Sequence, residues 1–117
     1  MNRPERQPAN DKNLAFFETV LRGHDQVIEF IAVSRTLYSI KRIQNPNTLR
    51  VFVTDSYSVG LLEATELIDQ ITGLDGIVTI SNWNGYTSDA KSYCEGQGVG
   101  LFVIKEFMGA LSNPKFI

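Results

Sequence analysis

Apolar residues fall along this chain in short clusters whose spacing switches between helical and strand-like. From Leu14, the residues Phe17, Val20 and Leu21 recur at helical spacing. Asn10 or Asp11 is placed to cap that helix and Gly23 to stop it. Val27, Ile28, Phe30, Ile31 and Val33 then form a dense run rich in β-branched residues. Spacing alone admits either a strand or a buried helix continuing through Leu37, Tyr38 and Ile40. The turn chemistry of Asn45-Pro46-Asn47-Thr48, between two runs of strand formers, favours strands across 27–43. Leu49-Arg50-Val51-Phe52-Val53-Thr54 is the clearer strand.

The remainder alternates regularly. Val59 to Ile71 sets Leu62, Leu67 and Ile71 with Ala64 and Ile68 on one side of a helix that ends at Gly73. Gly76-Ile77-Val78-Thr79-Ile80 is a short apolar run, the pattern of a strand covered on both faces. Thr87 or Ser88 opens a further helix through Tyr93, stopped by Gly96 and Gly98. Gly100-Leu101-Phe102-Val103-Ile104 repeats the buried-strand pattern, and a short helix through Phe107, Met108 and Leu111 closes at Asn113-Pro114. Strand, helix, strand, helix, strand in this order predicts an α/β domain with a parallel βαβαβ-type section.

With 117 residues, 43% of them hydrophobic and 21% charged, the chain has the size and composition of one globular domain. Residues 1–11 are polar, hold Pro4 and Pro8 and have nothing to bury, so they read as a disordered tail before a single domain over 12–117. The lone Cys94 excludes an internal disulfide, and with His24 it is too little for a Cys/His metal cluster. No apolar stretch reaches membrane-spanning length and the N-terminal residues do not resemble a signal peptide, so a cytoplasmic protein is expected. The net charge of −2 hides an uneven distribution. Phe30 to Thr54 has no acid but holds Arg35, Lys41, Arg42 and Arg50; Asp55 to Glu106 has eight acids against Lys91 and Lys105. Such a basic stretch suits phosphates or keeps strand edges soluble.

Chemistry-bearing motifs are sparse. Gly96-Gln97-Gly98-Val99-Gly100 comes after a helix and precedes a strand, the reverse of the order a phosphate cradle needs. His24 sits at a helix end beside Asp25 with no nucleophile motif around it. Glu63 and Glu66 share one side of a helix, and Asp55 stands just after a strand end, where α/β proteins place working residues. Together they form a carboxylate set suited to a divalent cation, or else a solvated helix face and a turn. Trp83, between Asn82 and Asn84, falls in a loop after a strand, either as a stacking or interface anchor or folded back on the core.

Three segments together resemble the Mrr-type restriction endonuclease-like domain of the PD-(D/E)XK superfamily: Val59 to Ile68, Gly76 to Ser81, and Gly85 to Tyr93. Leu101-Phe102-Val103-Ile104 and the short helix after it fit the family's last strand, so the likeness covers about residues 49–111. It implies a three-layer domain with a mixed sheet and flanking helices. It also implies a Mg²⁺ site: an acid on one strand, then an acid or Gln, one spacer and a Lys on the next. Here those paired positions are Val51 and Val53, or Phe52 and Thr54, and no acid lies between Glu29 and Asp55. Some members move a carboxylate onto the next helix, where Glu63 and Glu66 stand. A second resemblance is to receiver-like domains. Phe52-Val53-Thr54-Asp55 is similar to a phosphoacceptor strand, Ser81 to the hydroxyl residue and Lys105 to the conserved lysine. The paired acids after a first strand are missing.

The expectation is therefore a degenerate restriction endonuclease-like domain with no cofactor, binding DNA, RNA or a protein. Arg35, Lys41, Arg42, Arg50, Trp83 and Lys91 would make any nucleic-acid contact. The alternatives are a Mg²⁺-dependent nuclease built on Asp55, Glu63 and Glu66, or a phosphorylatable switch at Asp55. Edge strands and small size also allow a homodimer.

Overall fold

A computed structural model describes residues 9–45, 47–81 and 84–117. Residues 9–11, expected within a disordered tail, are part of the fold. Ala9 is fully buried in the core, and the Asn10 side chain accepts the Asn13 backbone N–H at 2.8 Å to cap α1, Asp11–Gly23. Residues 1–8, Pro46 and Trp83 with its neighbour Asn82 lie outside the described residues.

The ambiguous run at 27–43 is a strand hairpin: β1, Val27–Ala32, pairs antiparallel with β2, Leu37–Arg42. The turn residues after β2 feed β3, Thr48–Thr54, which is antiparallel to β2. From there the direction is constant. After α2, Leu61–Gln70, comes β5, Gly76–Thr79; after α3, Ser88–Gly96, comes β7, Gly100–Val103, and β3, β5 and β7 run parallel. The helix α4, Ile104–Leu111, ends the fold. The sheet order is β1-β2-β3-β5-β7. A receiver-like sheet is all parallel with its strand order reversing near the middle, so the antiparallel β1-β2-β3 meander rules out that architecture. A second ladder of two residues a side pairs β4, Ser58–Val59, with β6, Gly85–Tyr86. Two residues carry no period, which is why their spacing announced no strands.

Two successive crossovers in one direction place α2 and α3 on the same sheet face. Strand alternation divides the core accordingly. Leu49, Val51 and Val53 of β3, with Val78 and Phe102, pack under α1 and α4 against Phe17, Leu21 and Phe107. Leu37, Ile77 and Leu101 turn to the other face and meet Ala64 and Leu67 of α2 with Ala90 and Cys94 of α3. Leu62 is not part of that stripe; it is 54% exposed, and the buried side of α2 runs through Ala64 and Leu67. The result is a three-layer α/β/α domain with a Cα radius of gyration of 13.3 Å, a compact value for this length. Among the described residues no helix is long and apolar enough to cross a membrane.

The C-terminal segment is tied down by Arg42. Its guanidinium, withdrawn entirely from solvent, donates to the backbone oxygens of Leu111 at 3.0 Å, Asn113 at 2.7 Å and Pro114 at 3.2 Å, and more weakly to Ala110 and Asn45. These include the orphan carbonyls at the end of α4. Phe116 lies beneath that guanidinium and packs edge-on to Phe102 at 5.2 Å. Its ring covers Gly76, where a Cβ would come within 3.0 Å of it, and Ile117 closes over Gly100 in the same way. Because Gly76 and Gly100 are cross-strand partners, the pair makes a flat floor for the chain end.

Replacing Arg42 by Met should deprive the Leu111 and Pro114 carbonyls of this donor and cost roughly 2–4 kcal/mol. A lowered urea midpoint with an unchanged m-value is the expected reading.

Candidate functional site

The parallel strands β3 and β5 end side by side, since Thr54 pairs with Thr79. The segments leaving these two strand ends are held together by the small ladder, where Gly85 donates to the Tyr57 carbonyl at 2.8 Å and Thr87 to that of Val59 at 3.0 Å. This brings the residues after both strands into one polar cluster at the carboxyl end of the sheet, the place where ligands meet open α/β sheets.

Alternation splits the cluster in two. Asp55 turns towards α1: its Oδ1 accepts from the Ser81 hydroxyl and from the Asn84 amide at 3.1 Å, and its Oδ2 accepts from the Asn13 amide at 3.0 Å. Asn13 also donates to Ser81 Oγ at 3.3 Å. Thr54 and Ser56 turn towards α2, where both hydroxyls donate to Glu63 Oε2, at 3.2 and 2.8 Å. Thr79 closes this half by donating to the Ser56 carbonyl at 2.7 Å. Each acid thus meets neutral donors and faces a different helix layer. Asp55 and Ser81, paired by the receiver-like reading, do meet, although the sheet around them is of another kind. Asn13, Thr54, Ser56 and Asn84 escaped sequence reasoning because small polar residues at strand ends and in a first helical turn carry no motif.

Asp55, Glu63 and Glu66 do not converge: among the described residues no three His, Cys, Asp or Glu side chains are grouped to hold a metal ion. The positions of the expected strand motif are equally plain. Val51 and Val53 are fully buried, Val51 lying opposite Tyr38, while Phe52 lies opposite Leu37 and Thr54 is buried. Tyr38 places its own hydroxyl on Glu18 at 2.7 Å; burial first, and that carboxylate second, push the phenol well above its ordinary range.

The basic residues are dispersed. Arg35, in the β1–β2 turn, forms an exposed ion pair with Asp11 at 2.8 Å. Lys41 is exposed near the far end of that hairpin, opposite Glu29. Arg42 is the correction: expected at a phosphate, it is interior, and burial pushes its guanidinium below its ordinary value. Arg50 is half-buried on β3, its backbone N–H bonded to Asp75 at 2.8 Å, and its Nε is enclosed without a partner. Lys91 lies at the opposite sheet edge, donating to the Leu101 carbonyl and stacked over the Tyr86 and Phe102 rings at 5.1 and 5.0 Å. Tyr86 in turn donates to Glu106 at 2.9 Å, and burial, then that contact, raises its phenol to about 12.

His24 is engaged at both ring nitrogens: Nδ1 accepts the Gln26 N–H at 3.1 Å and Nε2 lies 2.9 Å from the Met108 carbonyl. It pins the end of α1 to α4. Cys94 is fully buried, and that burial lifts its thiol to about 11.

Comparison of the chain with protein-family models, with curated proteins and with solved structures finds no match in any of the three.

The saturated carboxylate and the buried thiol each predict a measurable outcome. Asp55→Asn loses an acceptor that three donors share, and should cost about 1–2 kcal/mol in chemical denaturation. Cys94 should resist a thiol reagent at pH 8 in the folded protein and react at the rate of global opening, as monitored by mass or absorbance.

Proposed function

We propose that this chain is a restriction endonuclease-like domain that has lost its chemistry and acts as a binding module, with protein rather than nucleic acid as its partner. The observation that carries this reading is the state of β2 and β3. The five-strand mixed order, with the second strand antiparallel to the others and helices on both faces, suits the Mrr-type likeness of residues 49–111. Yet the strand positions where an acid and a lysine would face one another hold Val, Phe and Thr. Carboxylates on the next helix do not replace them, because Glu63 is bound by Ser56 and Thr54 on the face away from Asp55.

The preference for protein rests on charge placement. A nucleic-acid face needs several cations on one surface. Here Arg35 and Lys41 sit near opposite ends of one hairpin, Lys91 marks the other sheet edge and Arg42 is internal. Large apolar side chains are instead presented outward, among them Ile28, Ile31, Tyr57 and Leu62, each more than half exposed.

A Mg²⁺ or Mn²⁺ titration monitored by amide NMR should leave Asp55, Glu63 and Glu66 unshifted, and neither metal should support cleavage of DNA or RNA. Retention of labelled DNA should be negligible even at low salt. Metal-dependent cleavage that Glu66→Ala abolishes would restore the nuclease reading, and salt-sensitive DNA binding would overturn the choice of a protein partner.

A further inference from the structure

The two edges of the sheet are treated differently. At β7 the Lys91 ammonium occupies the Leu101 carbonyl, so that edge carries a charged side chain, and Ile117 lies over the sheet face at Gly100. Charged side chains and covering segments are the usual protection against unwanted strand pairing. β1 itself contributes only the charge of Glu29 and one irregularity between Val27 and Glu29, with the Arg22 guanidinium of α1 over Phe30. Around them Ile28, Ile31 and Val33 stand 57%, 66% and 49% exposed. The helices α2 and α3 pack over β3, β5, β7 and Leu37 at the start of β2, and among the described residues nothing covers this face of β1. A groove of about 450 Å³ runs along β1 beside the last turn of α1, lined by Leu21, Arg22, Val27, Ile28, Glu29 and Phe30.

We infer that β1 is the contact strand of a homodimer, in which two copies pair antiparallel about a two-fold axis to form one ten-stranded sheet. This rests on the protein-binding reading above and names the partner as a second copy. The hairpin's own hydrogen bonds determine what β1 offers. Val33 donates to Leu37 at 2.8 Å at one end and Ile43 to Gln26 at 2.9 Å at the other. Alternation from Val33 turns the N–H and C=O of Ile31 towards β2 and those of Phe30 and Ala32 outward.

Side-chain fit sets the register. With Ile31 on the two-fold axis, Phe30 of each copy lies opposite Ala32 of the other, and these residues exchange their free backbone hydrogen bonds. The large ring thereby faces a small neighbour, with its own Arg22 guanidinium 5.4 Å above it. On the uncovered face Ile31 meets Ile31, a non-hydrogen-bonded pair whose side chains approach most closely. Glu29 falls opposite Val33, so no like charges are opposed, and each carboxylate keeps Lys41 as its own cross-strand neighbour. One strand pair is a small interface, below about 1,200 Å² in total, so association is reversible at roughly micromolar concentration.

Sedimentation velocity of the intact chain between about 1 and 500 µM tests this. A monomer–dimer equilibrium is expected, abolished by Ile31→Glu, which sets two carboxylates against each other, and by Ala32→Pro, which removes an outward N–H from an exposed strand edge. Unchanged circular dichroism of the two variants certifies their fold. Under oxidation Ile31→Cys should cross-link to itself while Glu29→Cys does not, with Cys94 silent in both. A monomer at every concentration overturns the inference, as does a dimer that survives both substitutions or cross-links through Glu29→Cys. The cleavage and DNA-retention assays bear on the binding-module reading alone, so the two can fail separately.

Discussion

The buried guanidinium of Arg42 sets how the segment after α4 is held against the sheet. Removing a cation from water is costly, and it is sustained here because the carbonyls at the end of α4 and in the segment beyond it surround it in good hydrogen-bonding geometry. The exchange is mutual: the Leu111 and Pro114 carbonyls take this donor, while those of Ala110 and Asn113 also accept from the N–H groups of Asn113 and Phe116. Once the last residue of β2 holds that segment, Phe116 lies under the guanidinium and joins Phe102 and Phe107 in an aromatic cluster. Phe116 adopts a positive φ of 69°, a conformation costly for a non-glycine residue and held by the contacts on either side of it. Within the basic stretch, Arg42 is the member with no exposed surface.

The two sides of the sheet differ, which gives the molecule a direction. The β7 side carries the chain end, Lys91 and the Tyr86–Glu106 pair, all of which use up polar groups. The β1 side carries an uncovered face and a row of apolar side chains. The difference arises from crossovers that stack α2 and α3 over the parallel strands and reach no further than Leu37 of β2. A two-stranded extension reached by tight turns has no helix of its own on that face to cover it.

The polar cluster at the carboxyl end of β3 and β5 has a position associated with function and a composition associated with structure. Its two acids accept from hydroxyls and amides of three parts of the chain: α1, the end of β3 and the loop after β5. Neutral donors of this kind stabilise a carboxylate without preparing it to move a proton or hold a cation. The cluster ties α1 and α2 to the sheet from opposite faces, and it lies far in kind from the carboxylate and lysine set that the family likeness would require.

Much of the architecture was legible in the residues themselves. Helical spacing from Leu14, the apolar runs at 76–80 and 100–104 and the caps at Asn10 and Thr87 are local signals, and local hydrogen bonding and burial obey them. The strand assignment at 27–43 depended on turn chemistry rather than period, because a run apolar at nearly every position has none. That Val51, Phe52, Val53 and Thr54 hold neither an acid nor a lysine was visible too, since residue identity needs no structure to be read. Other features were decided only when distant segments met. A formal charge does not tell whether its side chain ends in water or among carbonyls, so Arg42 read as a surface cation. A helical wheel does not tell which way α2 will roll, so Leu62 read as core. Asp55 acquired Asn13 and Ser81 as partners across 42 and 26 residues of sequence, and no spacing rule reaches that far. Periodicity records what each segment needs to bury, whereas the identity of the groups that bury it depends on the packing of the whole sheet.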